Sequence, residues 1–246
     1  MRLTRIHVPG PLSEGAEIVL PAQAGEHLTR VLRLPPGSPF TLFDGAGGEY
    51  AASLAPANGK KVIARVLRHE AVERESPLDV TLLQGVARGE RMDLIVKKAT
   101  ELGVTRIVPM LAERSVVKLD AKQRERKLEH WQAIAVSACE QCGRNRVPEV
   151  REPVALGDAV EALADDSLRC LLAADGTESL AQAATRMTLR PIALMIGPEG
   201  GLADNERVFA KANGFTAYRM GPRVMRTETA GLAALAVLQT LLGDFR

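Results

Sequence analysis

Two glycine-containing loops hold the residues whose types and spacing could do chemistry. In the first, "IGPEGGLADNE" (residues 196–206), Gly197, Gly200 and Gly201 follow the apolar run 192–196. Glycines lack a β-carbon, so a ligand can approach the main chain and hydrogen-bond its amides, while Pro198 stiffens the loop. The same composition is typical of a plain turn between a strand and a helix. Composition alone leaves both interpretations open.

The second loop is "MGPRVMRTETAGLAAL", residues 220–235, in which Arg223 and Arg226 lead into an Ala- and Leu-rich helical stretch. Thr227 stands where it could cap that helix, and the amides of a first helical turn favour an anion. Two arginines before a buried helix are costly unless something negative meets them. The structural alternative is a well-capped helix with tightly packed small residues.

Several signatures of common enzyme classes are missing from the sequence. There is no GxxxxGK[ST], HExxH or GxSxG, and "GAGGEY" has Tyr50 where the third glycine of GxGxxG should stand. The usual hydrolase and dinucleotide-binding classes therefore lose support.

The cysteines suggest packing more than chemistry. Cys139, Cys142 and Cys170 are an odd number, which fits a reducing compartment better than a disulfide framework. A redox CxxC needs its first thiol at a helix N-terminus, whereas this pair closes a long helical pattern before Gly143. A zinc site needs two further ligands, and no second pair has ligand spacing. Redox and zinc sites stay open as the less favoured alternatives.

The bulk properties are those of an ordinary globular protein. The 246 residues are 46% hydrophobic and 25% charged, and only 3% are aromatic, so aliphatic side chains must build the core. A net charge of +2 is too small to indicate nucleic-acid binding by itself. No stretch reaches the roughly 18 apolar residues of a membrane span, and "MRLTRIHVPG" lacks the apolar region of a secretory signal. We expect a cytoplasmic protein.

The first seventy or so residues predict a compact β module. Short apolar segments separated by proline and glycine clusters are typical of a small barrel or sandwich. Leu28, Val31 and Leu32 recur at helical spacing before Pro35, which predicts one short helix over residues 24–34. The predicted strands cover residues 3–8, 16–20, 39–45, 48–54 and 60–68.

After the charged stretch "HEAVERESP" the pattern changes to strands alternating with amphipathic helices. This order predicts an α/β domain with a mostly parallel sheet covered on both faces. We place the domain boundary between residues 73 and 74. The predicted strands cover residues 78–86, 104–111, 169–175, 191–197 and 215–221, and the helices 90–103, 120–143, 203–213 and about 227–242.

Taken together, these segments resemble the SPOUT superfamily of S-adenosylmethionine-dependent RNA methyltransferases, and specifically the ribosomal RNA small subunit methyltransferase E family. The resemblance spans nearly the whole chain, and the order and spacing of its motifs make it specific. The motifs are "HLTRVLRL", "FDGAGGEY", "ERMDLIVKKATELGVTRIVPMLAERSVVK", "EQCGRNRVPEV", "IGPEGGLADNE" and "GPRVMRTETAGLAAL".

The resemblance implies a fold, a cofactor and a substrate. Residues 1–73 would form a PUA-like β-barrel that binds RNA, and residues 74–246 a SPOUT α/β domain with a deep trefoil knot, which periodicity cannot reveal because chains are generally unknotted. The expected protein is a homodimer that uses S-adenosylmethionine without a metal. It would methylate N3 of a uridine in 16S rRNA of the small ribosomal subunit.

The resemblance also assigns cofactor contacts. One departure is Met225, where the family more often has leucine, a residue of similar volume. Carried over motif by motif, the cofactor residues are Leu171, Leu172, Ala173, Ile196, Gly197, Pro198, Glu199, Gly200, Gly201, Met220, Gly221, Met225, Arg226, Thr227, Thr229 and Ala230.

Uracil N3 carries a proton, so the reaction needs a base or a field that stabilises the uracil anion. We predict that Arg226 holds the anion or a nearby phosphate, and that Glu199 and Glu228 are the candidate bases or substrate-positioning residues. Glu228 could instead only favour its first helical turn, and Glu199 only stabilise its loop. The candidate RNA-binding residues are Arg30, Arg33, Arg88, Arg91, Lys97, Lys98, Arg114 and Arg144.

Two other functions stay open. The same fold could methylate another RNA site, such as a ribose hydroxyl or a tRNA base. A non-catalytic ribosome-assembly factor would bind RNA through the barrel, but it would be expected to have a decayed cofactor loop.

Overall fold

The computed structural model describes residues 3–56 and 61–245. The chain forms two compact units. The N-terminal unit comprises Met1–Glu75 with Cys139–Val147, and the larger unit comprises Ser76–Ala138 with Pro148–Arg246. The boundary predicted from the sequence lies between residues 73 and 74, and no sequence pattern indicated that residues 139–147 belong with the N-terminal unit.

The N-terminal unit contains a five-stranded sheet in the order β1-β3-β4-β5-β2. The first strand runs parallel to the third, and the other pairs are antiparallel. All five predicted strands are confirmed, although Lys60, where the last was expected to begin, lies outside the described residues. The strands are β1 (Arg5–His7), β2 (Glu17–Val19), β3 (Pro39–Phe43), β4 (Glu49–Leu54) and β5 (Ile63–Glu70).

The helix of this unit differs from the prediction. Helix α1 (Ala22–Glu26) continues into a π-helical turn, His27–Val31, in which the Leu32 amide donates to the His27 carbonyl at 2.9 Å. A π turn spaces its hydrogen bonds five residues apart, so side chains no longer follow the α-helical face. Leu28 is fully buried, but Val31 and Leu32 are exposed, and Val31 is 67% accessible.

A buried ionic network joins residues 139–147 to the strands of the N-terminal unit. The Arg5 guanidinium donates to the carboxylate of Glu49 and, at 2.5 Å, to Asn145 Oδ1. Arg74 Nη1 donates to Glu49 Oε2 at 2.9 Å, and Asn145 Nδ2 donates to the Val72 carbonyl at 2.6 Å. Burial raises the pKa of Glu49, but hydrogen bonds and charge from Arg74 and Arg5 outweigh it and hold the pKa below its usual value.

The larger unit is an α/β domain, as predicted. Its eight-stranded sheet has the order β11-β13-β10-β12-β6-β7-β8, and the eighth strand, β9, also pairs with β7. All of these strand pairs are parallel. The strands are β6 (Val80–Gly85), β7 (Arg106–Leu111), β8 (Glu149–Val150), β9 (Val154–Ala155), β10 (Leu168–Leu172), β11 (Glu178–Ser179), β12 (Ile192–Ile196) and β13 (Thr216–Arg219).

The predicted helices of this unit are confirmed, and two short ones were missed. Helices α4 and α5 and strands β8, β9 and β11 have two to six residues each, too few for an apolar period to show. The helices are α2 (Arg91–Glu101), α3 (Ala121–Cys142), α4 (Leu156–Glu161), α5 (Leu180–Ala184), α6 (Asp204–Ala212) and α7 (Thr227–Leu241).

The centre of the parallel sheet positions the candidate site. Strands β6, β12 and β10 are neighbours with continuous registers, and β6 and β12 are buried along their whole length. Because the strands are parallel, the loops that follow them emerge at one edge of the sheet. Within residues 3–56 and 61–245, no helix combines the length and apolar character needed to cross a membrane.

Candidate active site

A cavity of about 920 Å³ opens in the larger unit where three chain segments meet. The segments follow β10 and β12 and precede α7, so both loops that the sequence singled out contribute to it. Its walls combine aliphatic side chains, bare main chain and several charged groups. The lining residues are Arg91, Arg114, Leu171, Leu172, Ala173, Ala174, Asp175, Ile196, Gly197, Pro198, Glu199, Gly201, Leu202, Arg207, Val224, Met225, Arg226, Thr227, Glu228 and Ala230.

The glycines of the first loop serve the turn as well as the cavity. Gly201 has a φ of +69°, a left-handed conformation that favours glycine, and its amide donates to the Pro198 carbonyl at 2.8 Å. A β-carbon on Gly200 would lie 3.0 Å from Arg114 Cβ, and one on Gly85, at the end of β6, would collide with the Pro198 backbone. The two interpretations of this loop are therefore compatible, since a tightly packed turn also forms a wall of the cavity.

Thr227 ties three segments together and is not the helix cap that the sequence suggested. Arg226 occupies the N-cap position with an extended backbone, and no side chain caps the helix. Thr227 Oγ1 accepts a hydrogen bond from Gln84 Nε2 at 2.9 Å and donates one to the Gly197 carbonyl at 2.6 Å. The buried hydroxyl thus connects the end of β6, the first loop (residues 196–206, called the glycine loop below) and the start of α7.

The two arginines before α7 do not carry the cost that the sequence suggested for charges unmet by a negative group. Arg223 and Arg226 are both exposed, so neither needs a negative partner to offset desolvation. Arg226 still lines the cavity, and its guanidinium has no hydrogen bond or ion pair to any described residue. Its charge is therefore available to a ligand.

Charged groups from three segments face each other at the cavity. Glu199 Oε1 accepts from the backbone amide of Arg88 at 3.0 Å and from Arg91 Nη1 at 2.7 Å, and Arg91 Nε lies 3.8 Å from Glu228 Oε1. Burial raises the pKa of Glu199, but backbone hydrogen bonds and Arg91 outweigh it and lower the pKa below its usual value. Glu228 Oε2 is buried without a hydrogen-bond partner among the described residues.

The structure brings together most of the predicted cofactor residues. Gly200, Met220, Gly221 and Thr229 do not line the cavity. All three predicted catalytic residues, Arg226, Glu228 and Glu199, do. The predicted cofactor residues on the lining are Leu171, Leu172, Ala173, Ile196, Gly197, Pro198, Glu199, Gly201, Met225, Arg226, Thr227 and Ala230.

The sequence did not indicate one charged pair that lines the cavity. Asp175 and Arg207 line the cavity, with Arg207 Nη2 donating to Asp175 Oδ1 at 2.7 Å. The hydrogen bond from Arg207 is the main reason that the pKa of Asp175 lies below its usual value. Asp175 lies three residues after the end of β10, and an acidic residue beyond the carboxyl end of a central strand was the available signal. Arg207, on α6, carries no such signal. Ala174, Leu202 and Val224 were also missed.

The predicted RNA-binding residues separate into different environments. Arg91 and Arg114 line the cavity, and Arg33, Arg88 and Lys97 are exposed. Lys98 pairs with Glu101 at 2.8 Å, and Arg30 pairs with Glu26 at 3.1 Å on the surface.

The burial of Arg144 contradicts its prediction as an RNA-binding residue. It is 6% exposed, and its guanidinium donates to Glu75 at 2.6 Å and 2.9 Å. A guanidinium so enclosed has no free face for a phosphate. Arg144 is therefore part of the interior of the N-terminal unit.

The cysteines do not form a reactive or metal-binding group. Cys139 is buried, and a hydrogen bond with Cys142 together with burial raises the pKa of its thiol. Burial also raises the pKa of Cys170 to about 12. Thiols with raised pKa values stay protonated and are poor nucleophiles. No group of three or more His, Cys, Asp and Glu side chains in the described part of the chain could hold a metal.

Comparison with known proteins places the chain in a family. Residues 74–239 match the model of an RNA methyltransferase domain, and residues 20–67 match that of an RNA methyltransferase PUA domain. Ribosomal RNA small subunit methyltransferase E of Synechocystis is 36% identical over 92% of this chain and 74% of its own length.

Two solved structures match the whole chain. A Legionella pneumophila protein, solved in complex with the cofactor S-adenosylmethionine, is 40% identical with a TM-score of 0.93, and 100% of each chain is covered. Ribosomal RNA small subunit methyltransferase E of Neisseria gonorrhoeae, bound to S-adenosylmethionine, is 37% identical with a TM-score of 0.91 and the same coverage. The chain belongs to the ribosomal RNA small subunit methyltransferase E family.

Proposed function

We propose that this protein transfers a methyl group from S-adenosylmethionine to N3 of a uridine in 16S rRNA of the small ribosomal subunit. The observation that carries the proposal is the cavity in which the segments after β10, after β12 and before α7 meet. These are the segments on which the family resemblance places the cofactor. Relatives matching over the full chain are solved with S-adenosylmethionine bound.

The cavity fits this cofactor in size and chemistry. About 920 Å³ lies in the range of small-molecule sites, which is roughly 300–1,000 Å³. Leu171, Ile196 and Met225 offer apolar walls for the adenine, and the main chain at Gly197 and Gly201 can approach it closely. When bound, the sulfonium supplies an electrophilic methyl group and needs no metal.

The residues of this chain would then prepare the nitrogen. N3 is a poor nucleophile while it carries a proton, so a carboxylate at the cavity, Glu228 or Glu199, accepts that proton. Arg226 stabilises the negative charge that remains on the uracil or holds an adjacent phosphate. Its guanidinium suits this role because it lines the cavity and has no partner among the described residues.

The RNA must present an unpaired base. N3 lies on the Watson-Crick edge, so the uridine has to leave any pairing before it reaches the cavity. Exposed Arg88, Lys97 and Arg114 are candidates to hold the backbone near the site, and the PUA domain to bind RNA elsewhere. The deep trefoil knot and the homodimer remain predictions of the resemblance, and a cytoplasmic location remains a prediction of the sequence.

Two experiments test the proposal in sequence. Calorimetry with S-adenosylmethionine should detect binding, and its absence would favour the assembly-factor alternative. Mass spectrometry of 16S rRNA from a strain lacking this protein should show the loss of one N3-methyluridine. A modification lost from a ribose hydroxyl or from tRNA would instead assign a different target.

The role of Arg226 has its own test. We expect Arg226→Ala to lower the single-turnover rate of methylation of small subunits while S-adenosylmethionine still binds. A rate near wild type with intact cofactor binding would contradict the assigned role.

A further inference from the structure

Arg91 faces carboxylates from two different loops. It begins α2, where the sequence suggested an RNA contact, yet it lines the cavity. Its Nη1 donates to Glu199 Oε1 at 2.7 Å, and its Nε lies 3.8 Å from Glu228 Oε1. One guanidinium therefore spans the glycine loop after β12 and the first turn of α7.

This cluster contributes little to stability. The side chain of Arg91 is 41% exposed and that of Glu199 is 26% exposed. Ion pairs between partly exposed side chains add little to stability, because water screens them and two long side chains must be ordered. The planar guanidinium fork fixes directions more than it adds energy. The effect of Arg91 is therefore on the geometry of the two carboxylates.

The two carboxylates differ in the hydrogen bonds that their oxygens already accept. Glu199 Oε1 receives the Arg88 amide and Arg91, which anchors the glycine loop to the start of α2. Glu228 is 13% exposed, has a long ion pair on Oε1, and has no partner on Oε2 among the described residues. A buried carboxylate oxygen without a donor is costly unless a ligand or water supplies one.

We propose that Arg91 is a positioning residue for methyl transfer, which holds Glu199 as the anchor of the glycine loop and orients Glu228 towards the substrate uracil. This inference rests on the proposed function. In the step it supports, the N3–H bond breaks, the proton moves to the Glu228 carboxylate, and the electron pair stays on N3. Arg91 acts through Glu228 and touches neither the uracil nor a phosphate.

Substitutions at position 91 separate positioning from phosphate contact. Under saturating small subunits we expect Arg91→Met to lower the single-turnover rate about 100-fold, the scale of a misplaced reacting group. Arg91→Lys keeps one charge but not the fork, so it should recover about tenfold of that loss. The dependence of subunit binding on salt should be unchanged in both variants. Lys211→Met, which removes an exposed charge on α6, is the matched control and should behave as wild type.

The salt dependence can overturn the inference. If Arg91 bound a phosphate, Arg91→Met would reduce the slope of log K against log salt by about one and keep the rate at saturation. That result, or an Arg91→Met rate within twofold of wild type, would make the inference wrong.

A double-mutant cycle tests the route through Glu228. Glu228→Gln should itself slow the reaction about 100-fold or more, and adding Arg91→Met to it should then cost less than about threefold. A further 100-fold loss would show that Arg91 acts elsewhere. If Arg91→Met unfolds, the same cycle is run with Arg91→Lys. A wild-type protein that binds no S-adenosylmethionine would refute the proposed function itself, whereas an active wild type leaves only the Arg91 inference at stake.

Discussion

Two clusters of arginine and glutamate, one in each unit, use the same residue types at different degrees of burial. In the N-terminal unit, the Arg5 and Glu49 side chains are 5% and 11% exposed, and Glu49 also accepts from Arg74. At the cavity, Arg91 and Glu199 are 41% and 26% exposed. The Arg5–Glu49 pair is enclosed by protein, with the side chain of Arg74 43% exposed beside it, while the second cluster opens onto a volume that a ligand can fill.

The difference teaches which charges belong to the fold. Removing one partner of a buried ion pair leaves the other charge buried without compensation. Residues in such pairs therefore serve the stability of the fold. Half-exposed ion pairs contribute little to the stability of the fold. Beside them, Arg226 lines the cavity with no partner among the described residues, so it can meet a ligand. Substitutions in the first cluster should therefore change stability, and those in the second should change activity or cofactor affinity.

The largest expected effect is Glu49→Gln, which leaves Arg5 and Arg74 without their shared carboxylate. Removing one partner of a buried ion pair costs about 3–5 kcal/mol in the free energy of unfolding. Denaturant unfolding measures it. The control is Glu17→Gln, because Glu17 pairs with Arg65 on the surface of the same unit and should cost about 0–1 kcal/mol. Equal losses in the two variants would contradict the comparison.

The same carboxyl predicts a dependence on pH. Because the folded-state pKa of Glu49 is lowered, its contribution to stability is present above the pKa of the unfolded chain. That contribution is lost as pH falls through the folded-state pKa. The wild-type protein should lose more stability than Glu49→Gln between pH 5 and pH 3, a window chosen around the usual value of about 4 for glutamate.

Next in size is Gly85→Ala, which tests the packing beneath the cavity. A β-carbon at Gly85 would lie 2.6 Å from Pro198 Cδ and closer still to its backbone nitrogen, so the glycine loop must move. We expect a loss of about 3 kcal/mol in unfolding free energy, the upper part of the usual range for overpacking, and weaker S-adenosylmethionine binding by calorimetry.

Gly157→Ala is the matched control for this change. Gly157 lies in α4, and a β-carbon there would meet nothing within 4 Å. Alanine is the better helix former, so this variant should be unchanged or slightly more stable. A Gly85→Ala protein as stable as Gly157→Ala would refute the close approach of the end of β6 to the loop at Pro198.

A smaller effect is expected for Thr227→Val, which keeps the shape of the side chain but removes the hydroxyl. Gln84 Nε2 and the Gly197 carbonyl would lose a partner, at about 1–3 kcal/mol for a buried group left unsatisfied. We also expect weaker S-adenosylmethionine binding, because the hydroxyl links the glycine loop to α7. Thr240→Val is the control: Thr240 is exposed on α7 and bonds only its own helix, so its loss should stay within about 0.5 kcal/mol.

Thr227 also shows where sequence reasoning stops. Its place before α7 was predicted, but its partners Gln84 and Gly197 lie 143 and 30 residues away in the chain, and no local pattern indicates them. Arg144 was misassigned for the same reason, since its partner Glu75 is 69 residues away. Local composition predicts where the chain bends and where a helix starts. Long-range contacts decide which polar groups remain free.

The elements followed the same division. Long periodic segments such as α2 and α7, and strands buried along their length such as β6 and β12, were predicted because the apolar pattern extends over enough residues. Strands of two residues, such as β8 and β11, exist only through pairing with neighbours. The cavity loops were predicted from glycine, proline and arginine content, while the cavity residue Arg207, on α6, was not.

The smallest expected effect is Met225→Leu, at the position where the sequence resemblance leads us to expect leucine. Met225 lines the cavity with an apolar side chain. Exchanging methionine for leucine, an apolar side chain of similar volume, usually costs less than about 1.5 kcal/mol of stability. S-adenosylmethionine affinity by calorimetry should therefore change by less than about tenfold, and the single-turnover rate should follow it.

Met225→Ala makes this last prediction decisive. Alanine removes most of the wall, so it should weaken cofactor binding more than leucine does, by the lost apolar contact of the missing methylenes. If leucine and alanine were equally harmful, position 225 would require the methionine sulfur, and the wall would be specific in its chemistry. If both were silent, the adenosyl group would not rest against this wall. The expected gradient, with leucine near wild type and alanine clearly weaker, would mean that volume matters at the apolar wall, while direction matters at the charged cluster beside it.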